Sequence, residues 1–241
     1  MDYKLHPTGW SFSGPAGTAA QDPIYSFKRF SELYLKADSE YKGRYSVPVL
    51  CDREEETIVN NESPEIVRMI YSGFWVRFPA AVGDEVVGGL YSKGLRGKID
   101  GMDGWVNSVL NTGVYKTGFA TEQGNHEKAC IEVFEALDQV GDILANSKGE
   151  YLFGEHITEA DVRLYPTIVR FDTAHYTLFK CNLKIIRHDY PKIQRSLVNL
   201  YGQKGFGDTT DVEHIKKGYA LTPRNNLVPL GPAPDMPLAE K

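Results

Sequence analysis

Two short segments of this 241-residue chain carry groups suited to bind a small anionic peptide. The first of two short β-type runs, residues 45–50, contains Val47-Pro48, and a proline entering an edge strand leaves an amide and a carbonyl unpaired toward solvent. The second run leads into Glu62-Ser63, where we expect a helix to begin. Free N–H groups at a helix N-terminus favour a carboxylate, and the Glu62 side chain could accept an ammonium group. Together the segments predict a peptide-binding site.

Thiol chemistry is a second possibility, because the chain contains three cysteines. Cys51 follows the first β-type run, Cys130 lies among apolar residues of a predicted helix, and Cys181 follows Lys180. A cysteine whose pKa is near about 8.5 is a weak nucleophile at neutral pH, and Lys180 could lower the pKa of its neighbour only modestly. We therefore interpret all three cysteines as packing residues.

The histidines do not indicate a metal site. None of the six stands at zinc-ligand spacing from another histidine or a cysteine. The sequence also lacks a phosphate-binding glycine loop and a serine–histidine–aspartate order. We predict no bound metal.

The elements that position the first segments follow from hydrophobic periodicity. Apolar residues at helical spacing from Ile24 predict a helix that ends near Gly43. Two strands separated by a charged turn come next, and a helix over residues 64–71 follows them. A glycine-rich, poorly periodic segment, residues 74–91, indicates a linker. The first part of the chain is therefore a small α/β unit.

The second part, residues 92–220, is predicted to be helical throughout. Apolar residues from Ile99 to Leu110 and from Ala129 to Leu144 mark two amphipathic faces. Thr158-Glu159-Ala160-Asp161 has the form of a helix start, with a threonine cap and acids in the first turn. The proline-rich tail, residues 221–241, lacks periodicity and is predicted to be irregular.

Composition and charge exclude several classes of protein. Hydrophobic residues make up 41% of the chain, which is enough for a core. The net charge of −5 is spread along the sequence, which argues against nucleic acid and anionic membranes as partners. The sequence has no run of about 18 apolar residues and no apolar signal core. Because three widely spaced cysteines indicate a reducing compartment, we expect a soluble cytoplasmic protein.

Strings along nearly the whole chain resemble the glutathionyl-hydroquinone reductases, also called xi-class, omega-like glutathione transferases. They are GWSF (9–12), ELYLKAD (32–38), VPVL (47–50), IVNNES (58–63), NTGVYKTGFA (111–120), TEADVRL (158–164), RFD (170–172), FKCN (179–182) and DVEHIKK (211–217). The resemblance implies an α/β thioredoxin-like N-terminal unit over residues 1–73 and an all-α glutathione-transferase C-terminal domain over residues 92–220. It also implies glutathione as co-substrate, a quinol-type substrate and a homodimer.

The resemblance further implies roles for particular residues. The implied glutathione contacts are Trp10, Arg44, Val47, Pro48, Glu62 and Ser63, with the Val47–Pro48 peptide bond in the cis form. Tyr115 matches a family tyrosine of the quinol pocket, where a phenol can hydrogen-bond a quinol oxygen and assist proton transfer. A second pocket tyrosine is expected four residues after Phe171. His175 occupies that position and Tyr176 follows it, so both are candidates.

The catalytic motif of the family is absent from these 241 residues. By resemblance, the thiolate of a Cys-Pro-x-Ala motif attacks the sulfur of the glutathionyl adduct, and a second glutathione resolves the mixed disulfide. In the family this motif precedes the segment that begins here at Gly9, which only eight residues precede. We therefore expect a truncated thioredoxin-like unit with no catalytic cysteine, which binds glutathione weakly or not at all. A truncated gene model, an alternative start or a decayed paralogue would each produce it.

Three functions are consistent with these observations. The first is that of a glutathione transferase-like protein, resembling reductases that remove glutathione from glutathionyl-hydroquinones by thiol exchange. The second is a non-catalytic module that keeps the glutathione-transferase fold. The third is a truncated gene product without activity.

Overall fold

A computed structural model of the chain describes residues 1–2, 9–15, 17–73, 90–221, 227–232 and 235–237. The chain divides into two compact units. The first comprises Met1–Ala81 and Lys217–Val228, and the second comprises Val82–Lys216 and Pro229–Lys241. The predicted linker lies almost wholly outside the described residues, so the domain limits given above stay predictions.

The first unit contains a helix, a β-hairpin and a second helix. These are α1 (Ser31–Ala37), β1 (Leu50–Asp52), β2 (Thr57–Asn60) and α2 (Ser63–Gly73). The strands pair antiparallel, with Cys51 opposite Ile58. The Asp52 carboxylate closes the charged turn by accepting the amides of Glu54 at 2.8 Å and Glu55 at 3.0 Å. The predicted order of strand, turn, strand and helix is therefore confirmed.

Two sequence predictions about this unit are wrong in extent. The helix predicted from Ile24 to Gly43 is limited to α1, because Ser26 has a φ of 62° and the Asp22 carboxylate accepts the Tyr25 amide at 2.6 Å. Both features make a turn in place of the helical start. The first strand begins at Leu50 and does not include Val47-Pro48, because proline has no N–H for a strand ladder.

The second unit is helical, as predicted. Its elements are α3 (Arg96–Trp105), a π-helical segment (Val106–Asn111), α4 (Gly113–Phe119), α5 (Gln123–Asn146), α6 (Glu159–Arg170), a second π-helical segment (Phe171–His175), α7 (Tyr176–Leu178), α8 (Ile186–Asp189), α9 (Pro191–Tyr201) and a 3₁₀ turn (Gly207–Thr209). The last helix, α10 (Val212–Ala220), follows them, and its residues from Lys217 onward are assigned to the first unit. The hydrophobic core residues with no exposed surface are Ile99, Leu110, Val114, Val133, Leu137, Val140, Phe171, Ala174 and Cys181, among the residues that the structure describes.

The start of α6 is the cap predicted from the sequence. Thr158 and Asp161 form a capping box around the first turn. The Asp161 carboxylate accepts the Thr158 amide at 2.8 Å and the Thr158 hydroxyl at 2.7 Å. It also accepts the Leu152 amide at 2.9 Å, so the cap fixes the preceding loop as well.

Asn111, at the end of the first π-helical segment, connects that segment to α6. Its side chain donates to the Arg163 carbonyl at 3.2 Å and accepts the Thr167 hydroxyl at 2.8 Å. A π-helical turn holds one more residue than an α-helical turn, so the apolar stripe shifts around the helix where it occurs. No helix in the described ranges is long and apolar enough to cross a membrane.

Candidate functional site

The segment that ends at Pro48 presents backbone to solvent. The Val47–Pro48 peptide bond is cis, as the resemblance implied. Both side chains are exposed, and Val47 retains 38% of its surface. Neither the amide nor the carbonyl of Val47 makes a hydrogen bond within the described part of the chain. Val47 therefore offers one donor and one acceptor to an extended peptide.

The start of α2 offers a second set of free groups. The Glu62 carbonyl accepts the amides of Glu65 and Ile66, each at 3.0 Å, so the helix begins here as predicted. Ser63 is exposed, and its amide and hydroxyl have no partner among the residues that the structure describes. The Glu62 amide is held by the Asn60 side chain at 2.6 Å. The free amide and the dipole of the 11-residue helix favour a carboxylate at this end.

Side chains that sequence analysis did not select bring these two segments together. The Asn61 side-chain amide donates to the Ser46 hydroxyl at 3.2 Å and to the Tyr34 hydroxyl at 3.3 Å. The Tyr34 hydroxyl in turn donates to the Ser46 carbonyl at 2.8 Å. Ser46 directly precedes Val47, and Asn61 directly precedes Glu62. One polar cluster, Tyr34–Ser46–Asn61, therefore joins the two candidate segments.

The other two candidate contacts differ in their surroundings. Arg44 is exposed, and its carbonyl accepts the Ser46 amide at 3.0 Å. Over the described ranges, neither Arg44 nor Glu62 forms an ion pair, so both charges are open to a ligand. Trp10 is half-buried, and its carbonyl accepts the Phe30 amide at 2.9 Å. No hydrogen bond or ring contact between described residues joins the Trp10 side chain to the other candidates.

In the second unit, Tyr115 belongs to a cluster of four rings with Phe119, His175 and Phe179. The Tyr115 and His175 ring centroids lie 6.0 Å apart, and those of Tyr115 and Phe179 lie 5.3 Å apart. His175 stacks on Phe179 with centroids 5.4 Å apart and an interplanar angle of 13°. Of the two candidates for the second pocket position, His175 contacts Tyr115, whereas Tyr176 makes no ring contact in the described structure.

The cluster has an exposed side and a buried side. Tyr115 is 39% exposed and Phe119 is 71% exposed, whereas His175 is only 1% exposed. Burial, and next the Arg170 charge, lower the pKa of His175 to about 3, so its imidazole is neutral at physiological pH. Tyr115 is therefore the member whose phenol can meet a ligand, and His175 supports it from beneath.

Backbone geometry around the cluster explains its close packing. A Cβ added at Gly118 would overlap the Phe179 ring, so only glycine lets Phe179 lie against α4. Asp172, one turn before His175, accepts the amides of Ile186 at 2.9 Å and Arg187 at 3.2 Å. These bonds attach the second π-helical segment to α8.

None of the three cysteines lies where a helix N-terminus would activate it. Cys51 is in β1, Cys130 is inside α5 and Cys181 follows α7 in an irregular segment. Burial, followed by the Asp22 charge, raises the pKa of Cys51, and burial raises the pKa of Cys130. Burial also raises the pKa of Cys181, to about 12. No cluster of three His, Cys, Asp or Glu side chains that could hold a metal ion occurs in the described residues.

Comparisons with known proteins found relatives in sequence and in fold. The family model for the glutathione S-transferase C-terminal domain matches residues 123–195. The chain is 43% identical to glutathione S-transferase omega-like 2 of Schizosaccharomyces pombe, over 98% of the chain and 76% of that protein. It is 38% identical to the glutathionyl-hydroquinone reductase YqjG of Escherichia coli, over 95% of the chain and 68% of that protein.

The chain belongs to the omega-like, xi-class glutathione transferases. A crystal structure of glutathione S-transferase Xi from Phanerochaete chrysosporium matches with a TM-score of 0.90 and 42% identity, over 99% of the chain and 80% of that structure. YqjG, solved with glutathione bound, matches with a TM-score of 0.87 and 36% identity, over 97% of the chain and 74% of that structure. These matches confirm the predicted fold class, a thioredoxin-like unit with an all-α glutathione-transferase domain.

Proposed function

We propose that this xi-class transferase binds glutathione, with the weak affinity expected from the sequence, at the surface formed by Val47-Pro48 and Glu62-Ser63. The proposal rests on the backbone groups of Val47 and the amide of Ser63, which have no hydrogen-bond partner among the described residues, and on the bond between Asn61 and Ser46 that links the two segments. Glutathione is an extended peptide with two carboxylates and one ammonium group. The Val47 amide and carbonyl suit its backbone, and the Ser63 amide and hydroxyl suit a carboxylate.

The charges around this surface support the same ligand. Glu62 is exposed and can accept the ammonium group, and the Arg44 guanidinium can bind a second carboxylate in bidentate fashion. Trp10 is a further proposed contact. One cation, one anion and one helix N-terminus match the three charged groups of glutathione.

We further propose that the substrate is a glutathionyl-hydroquinone, as the name of the related YqjG suggests. In that reaction a thiolate attacks the glutathione sulfur to form a mixed disulfide, while the bond between that sulfur and the quinol ring breaks and the ring carbon takes up a proton. A second glutathione then attacks the mixed disulfide, which yields glutathione disulfide and frees the thiolate. Tyr115 would hydrogen-bond the quinol oxygen from the exposed side of the ring cluster, with His175 supporting it. The attacking thiolate is none of Cys51, Cys130 or Cys181, since all three pKa values are raised.

The raised pKa values favour a second candidate function, a non-catalytic module that binds glutathione without thiol exchange. One assay distinguishes the catalytic function from the non-catalytic module. The substrate is a glutathionyl-hydroquinone with excess glutathione, and the proteins are this chain, this chain fused after a Cys-Pro-x-Ala segment of a relative, and the fused chain with Tyr115→Phe. The catalytic proposal expects turnover in the fused chain only.

Tyr115→Phe should then lower the rate of the fused chain by about ten-fold or more, because proton-transfer assistance is typically worth 10²–10⁴-fold. Tyr201→Phe, on α9, is the matched control and should leave the rate unchanged. An inactive fused chain that still binds glutathione would support the non-catalytic module. A chain that shows no glutathione-dependent shift of its Val47 and Ser63 amide resonances would contradict the binding proposal itself.

We also propose that the protein is a cytoplasmic homodimer, as the family resemblance and the cysteine pattern suggest. Light scattering coupled to gel filtration measures the mass directly, and the monomer mass is 27.0 kDa. A mass of twice that value is expected. Elution at the monomer mass across the working concentration range would contradict the dimer.

A further inference from the structure

We infer that Tyr34 and Asn61 are positioning residues for the glutathione surface, acting through the Tyr34–Ser46–Asn61 cluster. This inference rests on the proposed function, because it concerns how that surface is held in register. Neither side chain is a proposed ligand contact.

The two halves of the surface are far apart along the chain and need a connection that fixes their spacing. Val47 and Ser63 are separated by β1, a charged turn and β2. A two-stranded hairpin is a weak frame, and the register of these strands shifts between Leu50 and Cys51. The cluster supplies the direct link, because Asn61 Nδ2 lies 3.2 Å from Ser46 Oγ.

The direction of each hydrogen bond follows from the donors available. The Tyr34 hydroxyl donates its proton to the Ser46 carbonyl at 2.8 Å, so its oxygen can only accept from Asn61. Asn61 therefore uses its NH₂ group for both contacts. An aspartate at this position could only accept, so the Tyr34 hydroxyl would have to give up the Ser46 carbonyl in order to donate to it.

Tyr34 can fix the spacing because it is itself held rigidly. It is 3% exposed on α1, and its ring packs against three neighbours. The ring centroids of Phe30, Tyr41 and Tyr45 lie 6.0, 4.9 and 5.6 Å from its own. Because the Tyr34 phenol is held in this way, it fixes Ser46 and Asn61, and with them both halves of the surface, relative to α1. Because binding needs both halves at once, a loss of register weakens it without removing a ligand contact.

The test is a titration of the full 241-residue chain with glutathione, followed by amide NMR at a temperature where every variant is folded. Tyr34→Phe removes one hydroxyl, keeps the ring and adds no charge. We expect it to weaken binding by about five-fold or more, as for loss of one structural hydrogen bond. It should also shift the amide resonances of both Val47 and Ser63 before glutathione is added.

Two controls separate positioning from general destabilisation. Tyr25→Phe removes a phenol hydroxyl from the same unit, where the ring stacks on Phe27 and the hydroxyl has no partner among described residues. Its affinity should equal that of the wild type. Ser46→Ala should weaken binding, whereas Ser46→Thr, which retains a hydroxyl, should preserve it. If Tyr34→Phe does not fold, the comparison of Ser46→Ala with Ser46→Thr provides the test.

The possible failures are distinguishable. Wild-type chain that does not bind glutathione overturns the proposed function, and with it this inference. Wild-type binding that is unchanged in Tyr34→Phe and Ser46→Ala, even if both melt at lower temperature, overturns the positioning role alone.

Discussion

The His175 and Tyr115 rings meet in a T-shaped arrangement, with centroids 6.0 Å apart and planes at 62°. The two residues come from different helical segments, α4 and the second π-helical segment, and His175 lies entirely beneath the surface. The imidazole contacts the rings of Tyr115, Phe171 and Phe179, and of these Tyr115 has the exposed phenol. Because the imidazole is neutral, it does not add a positive charge near the Tyr115 phenol.

The first prediction is that His175 makes folding stability depend on pH. The pKa of His175 is about 3 in the folded protein, against about 6.5 in an unfolded chain. Between these values the unfolded chain binds one more proton, so stability is complete above about pH 6.5 and falls as the pH decreases. The His175 contribution should fall by about 1.4 kcal/mol per pH unit in this window.

His175→Phe keeps an aromatic ring and removes the titration. Denaturant unfolding of the wild type and this variant is measured at pH 7, 6 and 5. As the pH falls, the free energy of unfolding should decrease more for the wild type than for the variant. His156→Gln, at an exposed histidine of the same unit, should follow the wild type. Parallel curves for the wild type and His175→Phe would show that His175 is accessible to protons in the folded state.

The second prediction concerns the glycine beneath Phe179. Gly118→Ala should destabilise the protein by about 1–3 kcal/mol, because the new methyl group overlaps a buried ring that cannot move freely. Gly101→Ala, in α3, is the matched control, since a Cβ there meets no atom within 4 Å. It should stabilise the helix by up to about 1 kcal/mol. Thermal melts measure the stability of each variant, and near-ultraviolet circular dichroism reports the packing of the ring cluster. Equal effects of the two substitutions would contradict the packing argument.

The features that were predicted correctly from the sequence are those determined by local patterns. The hairpin, the start of α2 at Ser63 and the cap at Thr158 rest on a few neighbouring residues, and the structure contains all three. The Tyr34–Ser46–Asn61 cluster joins residues up to 27 positions apart, and no spacing rule relates them. Sequence reasoning also missed the π-helical segments, because an inserted residue in one turn leaves the apolar pattern nearly helical. It extended the first helix too far, since the Asp22 turn competes with helical spacing.

The third prediction is that the native cysteines react slowly. Raised pKa values leave less thiolate at pH 7 than an ordinary cysteine has. An aromatic disulfide reagent should modify Cys51 about ten-fold more slowly than free cysteine, and Cys181 only after unfolding. Cys51→Ser should remove the reaction of the native protein. Modification of any native thiol faster than free cysteine at pH 6 would identify an activated nucleophile among the three.

The last prediction concerns the cap of α6, the helix that leads into the second π-helical segment. The Thr158 hydroxyl lies 2.7 Å from the Asp161 carboxylate, which also accepts two backbone amides. Thr158→Ala should lower the free energy of unfolding by about 1 kcal/mol, as for other N-cap residues, and the melting temperature by about 2–4 °C. Thr209→Ala is the control, because among the described residues the hydroxyl of this exposed threonine bonds to carbonyls of its own turn. Asp161→Asn should cost more than Thr158→Ala, because the neutral amide cannot accept as strongly from the Leu152 and Thr158 amides. A melt of Thr158→Ala that matches the wild type would show that Asp161 holds the start of α6 without the threonine hydroxyl.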